Sequence, residues 1–199
     1  MMPNPLSIVE GIAASMPTHN IDTDVMMPKR FLKTITREGL AAGVFADLRF
    51  DARGGENSAC VLCQEPWRRA VILVVGDNFG CGSSREHAVW GLSQLGLRAL
   101  IGTGFAGIFY DNCRRNGVAA ITLPPHERDR LHALAQQPGT ARMRVDIAEQ
   151  RITHAGGTTP FALPHDIRAD LLSGRDAIAA TLEHAGAIRA FEQAYWRNR

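Results

Sequence analysis

Excess charge of either sign is missing: 22 lysines and arginines against 20 acidic residues leave a 199-residue chain at a formal charge of +2. Such a balance creates no broad field to gather a nucleic acid or an anionic membrane surface. The arginines are scattered or paired, as at Arg68 and Arg69 or Arg114 and Arg115, and read as solvated surface. Long apolar runs are also missing, so no segment is expected to span a bilayer. The opening stretch MMPNPLSIVEGIAASMP has no basic segment leading into an apolar one, so a cytoplasmic protein is expected, with neither nucleic acid nor membrane as partner. Cysteine is sparse: Cys60, Cys63, Cys81 and Cys113 are too few for a disulfide scaffold in a chain of this size, and reduced thiols are the expectation.

What is present suffices for a core, since 45% of the residues are hydrophobic. The β-branched run Val71 to Val75 reads as a buried strand. Behind it, Ser83 and Glu86 stand in the S-x-x-E relation of a capping box, which predicts a helix start. Ala88, Val89, Leu92 and Leu95 then share one helical face, with Gly96 as a left-handed stop. A second cycle follows, with LRALIG as strand, Ile108 to Asn116 as a helix closed by Gly117, VAAITL as strand, and a helix from Glu127 to Ala135. Strands and helices alternating over short connections imply right-handed crossovers and a parallel sheet. MRVDIAEQRITHAGG reads instead as a hairpin. The tail predicts amphipathic helices near Ile167 to Leu172 and Asp176 to Trp196, the latter interrupted at Gly186. The chain is expected to form a single domain over 1–199, with 1–17 as an amino-terminal arm, 51–58 as a mobile loop and 165–199 as a helical tail.

The stretch GDNFGCGSSREHA, residues 76–88, concentrates polar groups and permissive backbone at the end of the buried strand. Ligands of parallel sheets collect beyond the carboxyl ends of strands. Gly80 and Gly82 would allow the backbone to fold around an anion, and Arg85 could clamp a carboxylate or phosphate through its planar fork. Ser83 is then either a helix cap or a hydroxyl facing a substrate. His87 is either a base or a group that orients the loop.

Other motifs fail on their own terms. A phosphate loop needs lysine after its last glycine, where this chain has Ser83, and a nucleophile elbow needs glycine two residues either side of its serine. GTGFAG, Gly102 to Gly107, matches the dinucleotide fingerprint, but the next strand ends Thr122, Leu123, Pro124 with no acidic residue to hold a ribose. Cys60 and Cys63 form a C-x-x-C with no second pair to complete a zinc site, and the spacing of the four cysteines misses the ferredoxin patterns.

GDNFGCGSSREHA nevertheless resembles the signature of the aconitase superfamily, in the form worn by the small-subunit family of 3-isopropylmalate dehydratase. HNIDTDVMMPKRFLK, GFAGIFYDNCRRNGVAAI and LLSGRDAIAATLEHAGAIRAFE agree with it in order and spacing, so the resemblance covers almost the whole chain. It implies an α/β fold, the three-layer β/β/α swivelling domain like the last domain of aconitase. It also implies a hydro-lyase of leucine biosynthesis that interconverts 2- and 3-isopropylmalate, active only with a large subunit. That partner would hold an iron-sulfur cluster, with none bound by this chain alone. By the same resemblance Ser83 is the base, Ser84 and Arg85 bind substrate, Asp24 belongs to the site, and Leu32 and Lys33 meet the variable substituent of the diacid. Val89 stands where the family usually has proline, and Gly104 and Gly107 replace more polar residues, which leaves the diacid open. Two alternatives stand beside this reading: a sister small subunit acting on homoaconitate or a methylmalate or citraconate, and a nucleotide-binding module using Gly102 to Gly107.

Overall fold

The computed structural model describes residues 4–32, 38–175 and 177–197. Four strands, β1 (Ile8–Met16), β2 (Ala70–Val75), β3 (Ala99–Gly102) and β4 (Ala119–Thr122), run parallel. Three more, β5 (Arg142–Asp146), β6 (Arg151–His154) and β7 (Gly157–Pro160), are antiparallel. Together they form one sheet in the order β4-β3-β2-β1-β5-β6-β7. The helices are α1 (Thr23–Met26), α2 (Ala46–Arg49), α3 (Glu86–Gln94), α4 (Gly107–Arg115), α5 (Pro125–Ala135), α6 (His165–Ser173), α7 (Ala177–Glu183) and α8 (Ala185–Arg197). This is the mixed α/β architecture that the sequence predicts.

β2 explains the layering. Its AVILVV run has no polar face because both faces are covered, as in buried parallel sheets generally. Leu73 and Val75 point into one core with Ala88 and Leu92 of α3 and Phe109 of α4. Ile72 and Val74 point into a second core with Leu131 and Ala135 of α5 and Ile167 and Leu171 of α6. Helices α3 and α4 end as the glycines require: Gly96 has φ +100° and Gly117 φ +65°. In each case the next residue closes the last turn, Leu97 N–H on the Leu92 carbonyl and Val118 N–H on the Cys113 carbonyl, both at 3.0 Å.

Several expectations need correction. Most of the stretch read as an amino-terminal arm is β1, which lies inside the sheet between β2 and β5. Its glycine and alanines hide it from a propensity reading, yet they are what the pairing needs: a Cβ on Gly11 would come 2.7 Å from Val71. The sheet is parallel only in half, and β7 joins the expected hairpin as an extra strand. The tail helix breaks at His184, where the Thr181 carbonyl accepts a 3.0 Å bond from the His184 N–H, and α8 runs through Gly186. Gly186 lies in the first turn of α8, where amides lack intrahelical partners in any case. The 51–58 loop is exposed, and the Asp51 carboxylate accepts from the N–H groups of Arg53 and Gly55, both at 2.8 Å. No helix among the described residues is long and apolar enough to cross a membrane.

Candidate active site

Three loops leave the carboxyl ends of β1, β2 and β3 side by side. The first two are laced together by backbone hydrogen bonds: Asn20 N–H to the Asp77 carbonyl (2.9 Å), Gly80 N–H to Ile21 (2.8 Å) and Thr23 N–H to Cys81 (3.0 Å). The third joins through Ala106 N–H on the Phe79 carbonyl at 3.2 Å. Two glycines make this packing possible. Gly80 has φ +83°, and a Cβ there would sit 2.2 Å from the ring of Phe109. Gly82, at φ +88°, turns the chain over Asp22.

The two glycines lead to Ser83 and Ser84, both exposed. The capping box does not form. Thr23 Oγ1 donates to the Ser83 carbonyl at 2.9 Å, and Arg85 N–H donates to the same oxygen at 2.8 Å. These bonds keep Ser83 out of the helix, which begins at Glu86 with Arg85 as its N-cap residue. Glu86 does not reach back to Ser83; its carboxylate accepts from Asn116 Nδ2 at 2.8 Å. The Ser83 hydroxyl has no hydrogen-bond partner among the described residues and is free to meet another molecule.

The DTD triplet divides its tasks. Asp22 caps α1 by accepting the Val25 N–H at 2.8 Å, and Thr23 is buried against the Ser83 loop. Asp24 faces outward and accepts a charge-assisted hydrogen bond from Arg85. The Arg85 guanidinium holds the Asp24 carboxyl below the ordinary carboxylate range. The structure therefore brings Ser83, Ser84, Arg85 and Asp24 together. Leu32 follows a short 3₁₀ turn, Lys29–Phe31, and packs half-buried against the core beneath. Lys33 lies outside the described residues. Ser83 is not in the open cleft of about 760 Å³ lined by Arg30, Phe31, Asp47 and Phe50; it stands on open surface.

The G-x-G-x-x-G loop uses its first glycine for packing. A Cβ on Gly102 would meet Val75 at 3.0 Å and Phe105 at 3.2 Å, and Phe105 stacks near Phe109 and Tyr110.

A partly buried polar cluster beneath the loops, with Ser15, Arg128 and His132 inside and Asp77 at the surface, is not assembled by a sequence reading. Arg128 of α5, 7% exposed, donates to the Asp77 carboxylate at 2.9 Å and to the Val75 carbonyl at 3.4 Å. Thr103 Oγ1 donates to the same carboxylate, and these partners hold the Asp77 pKa low, the threonine hydroxyl most of all. Beside it His132 bonds Ser15 Oγ at 2.9 Å, and burial lowers its pKa. One signal was available: Arg128 lies in helical register with Leu131 and Ala135, a charge in an apolar stripe.

The iron-sulfur cluster that the resemblance implies for the assembled enzyme finds no ligand set among the described residues of this chain. No group of three or more metal-ligating side chains forms among the described residues. Burial raises the pKa of both Cys60 and Cys113 and so disfavours the thiolates a cluster needs. Cys63 instead donates to the Arg49 carbonyl at 3.3 Å.

Residues 3–126 match the Aconitase C-terminal domain family. The 3-isopropylmalate dehydratase small subunit 1 of Mannheimia succiniciproducens is 48% identical over 96% of this chain and 95% of its own length. The small subunit 2 of Salmonella typhimurium is 49% identical over 96% and 92%. The crystal structure of 3-isopropylmalate dehydratase (leuD) from Methanocaldococcus jannaschii superposes with a TM-score of 0.66 at 25% identity, over 93% of this chain and 99% of that one. The chain belongs to the aconitase C-terminal domain family, within the group of 3-isopropylmalate dehydratase small subunits.

Proposed function

We propose that the chain is the small subunit of a hydro-lyase that isomerises 2-isopropylmalate and 3-isopropylmalate by dehydration and rehydration in leucine biosynthesis. It would work in the cytoplasm with a large subunit that holds the iron-sulfur cluster, and residues 1–199 would act as one swivelling domain. The observation that carries this reading is an exposed Ser83 hydroxyl with no hydrogen-bond partner among the described residues, two positions before Arg85, whose guanidinium is paired with Asp24. That is half of a site. It supplies a base and an anion clamp, and its open side suits a second polypeptide.

The chain's part in the reaction is proton transfer and orientation. Ser83, as alkoxide, takes the hydrogen from the carbon next to a substrate carboxylate; the electron pair left on that carbon forms the alkene as hydroxide departs from its neighbour. On readdition the Ser83 hydroxyl returns the proton. An alkoxide is costly at neutral pH, so it must be formed where water is excluded and positive charge is close. Arg85 provides that charge and a planar fork for the carboxylate, while Asp24 holds the fork in place. Ser84 offers a second hydroxyl to the same anion. Stabilising the departing hydroxide falls to the large subunit.

Reconstitution tests the proposal. The purified chain should bind no stoichiometric iron and show no isomerase activity, and adding the cluster-bearing large subunit should restore turnover of isopropylmalate. Stoichiometric iron on the chain alone, or a reconstituted pair that turns over only homoaconitate or methylmalate, would refute it.

A further inference from the structure

Asp77 touches all three loops that build the site. It belongs to the loop after β2, the one that carries Ser83. Its carboxylate accepts from Thr103 of the loop after β3. Its N–H donates to His19 Nδ1 of the loop after β1 at 3.0 Å, and that imidazole stands 3.3 Å from the carboxylate. From below, Arg128 reaches past the end of β2 to the same carboxylate at 2.9 Å, with a weaker contact to the Val75 carbonyl at 3.4 Å. Arg128 Nε is anchored in turn on Asp129 at 2.7 Å.

Stability alone does not explain this arrangement. Arg128 occupies a core-facing position of α5, where an apolar side chain would fill the same space without the desolvation cost of a buried charge. What the guanidinium adds is direction: its donors tie a strand end and a loop to one helix at fixed angles.

We propose that Asp77 and Arg128 are positioning residues for the reaction. The buried guanidinium fixes Asp77, Asp77 joins the loops after β1, β2 and β3, and that junction keeps Ser83 in register with the Asp24 and Arg85 pair. The inference rests on the function proposed above. Neither residue needs to touch the substrate.

The test uses the full chain reconstituted with its large subunit, and compares Asp77→Asn, Arg128→Gln, the double variant and Ser83→Ala. Positioning predicts that each single variant lowers kcat by roughly 10²-fold, the size of effect that an ångström of misplacement produces, with KM changed much less. The double variant should be no slower than either single one, because the two residues act as a unit. Assembly and the thermal midpoint should stay near wild type for Asp77→Asn, whose side chain is half exposed. Should Arg128→Gln fail to fold, Asp77→Asn decides alone. Wild-type kcat in Asp77→Asn, or a loss that follows the fraction of unassembled protein, overturns the proposal. An inactive Ser83→Ala beside a fully active Asp77→Asn discards positioning and leaves the base intact, whereas a fully active Ser83→Ala discards the base itself.

Discussion

Arg85 and Asp24 come from segments that follow different strands, and their ion pair joins the segment after β2 to the segment after β1 two residues from the exposed Ser83. The pairing orients the mostly buried Arg85 guanidinium, and it leaves the serine uncommitted. Geometry of this kind separates chemical effects of substitution from structural ones.

Ser83→Ala should leave the fold intact. The helix cap is Arg85 and the Ser83 hydroxyl bonds nothing among the described residues, so the stability change should fall within about 0.5 kcal/mol. Turnover of the reconstituted enzyme should drop by roughly 10² to 10⁴-fold, the range for loss of a general base. Thermal melting of the chain and initial rates of the complex check the two halves together.

Arg85→Gln should release Asp24. With the guanidinium gone, the Asp24 carboxyl titrates closer to its ordinary value of 3.8, visible as a shifted carboxyl resonance in an NMR pH titration. The same variant should raise KM for the diacid by about tenfold or more, since a charge-assisted hydrogen bond is lost on binding. Arg85→Lys, which keeps the charge and loses the fork, should fall between the two.

Gly80→Ala combines a left-handed backbone with a Cβ 2.2 Å from the Phe109 ring. The expected cost is about 2 kcal/mol or more, since neither φ nor packing accommodates the methyl group. A denaturant titration should show the lower midpoint with an unchanged slope. Gly104→Ala, with nothing within 4 Å of its Cβ position and no positive φ, is the control expected to melt like wild type.

Acid should weaken the fold through His132. Burial keeps this imidazole neutral, with a pKa below the ordinary 6.5, so the unfolded chain binds the proton first as pH falls. Its contribution is therefore whole above about pH 6.5 and is lost progressively below that, down to the folded-state pKa. His154 shifts in the same direction for the same reason and adds to the slope. In His132→Gln the thermal midpoint should vary less between pH 7 and pH 5, with the His154 part remaining.

Much of the alternation of strand and helix could be read directly, because β2, α3, α4 and α5 announce themselves by continuous β-branched runs, 3.6-residue apolar spacing and glycine stops. β1 could not, since its glycine and alanines have poor strand propensity and gain their place from neighbours on both sides. Among the candidate site residues, Arg85 was legible as an anion clamp from local physics, Ser83 was left between cap and substrate contact, and Asp24 came only from motif resemblance. The S-x-x-E spacing pointed to a cap, but tertiary bonds to the Ser83 carbonyl overrode it. The pairing of Asp77 with Arg128 was not legible for a similar reason: although Arg128 marks itself as a charge in an apolar stripe, the two residues are far apart in sequence and meet only when α5 packs across the sheet from α3 and α4.

The central position of β1 governs how the protein can be born. Its neighbour β2 is synthesised well after it, and β5, on its other side, later still. Until then the ribosome holds out a strand with both edges unpaired, a template for misassociation. Slow translation or a shortage of chaperones should therefore harm yield of this chain more than its melting temperature suggests.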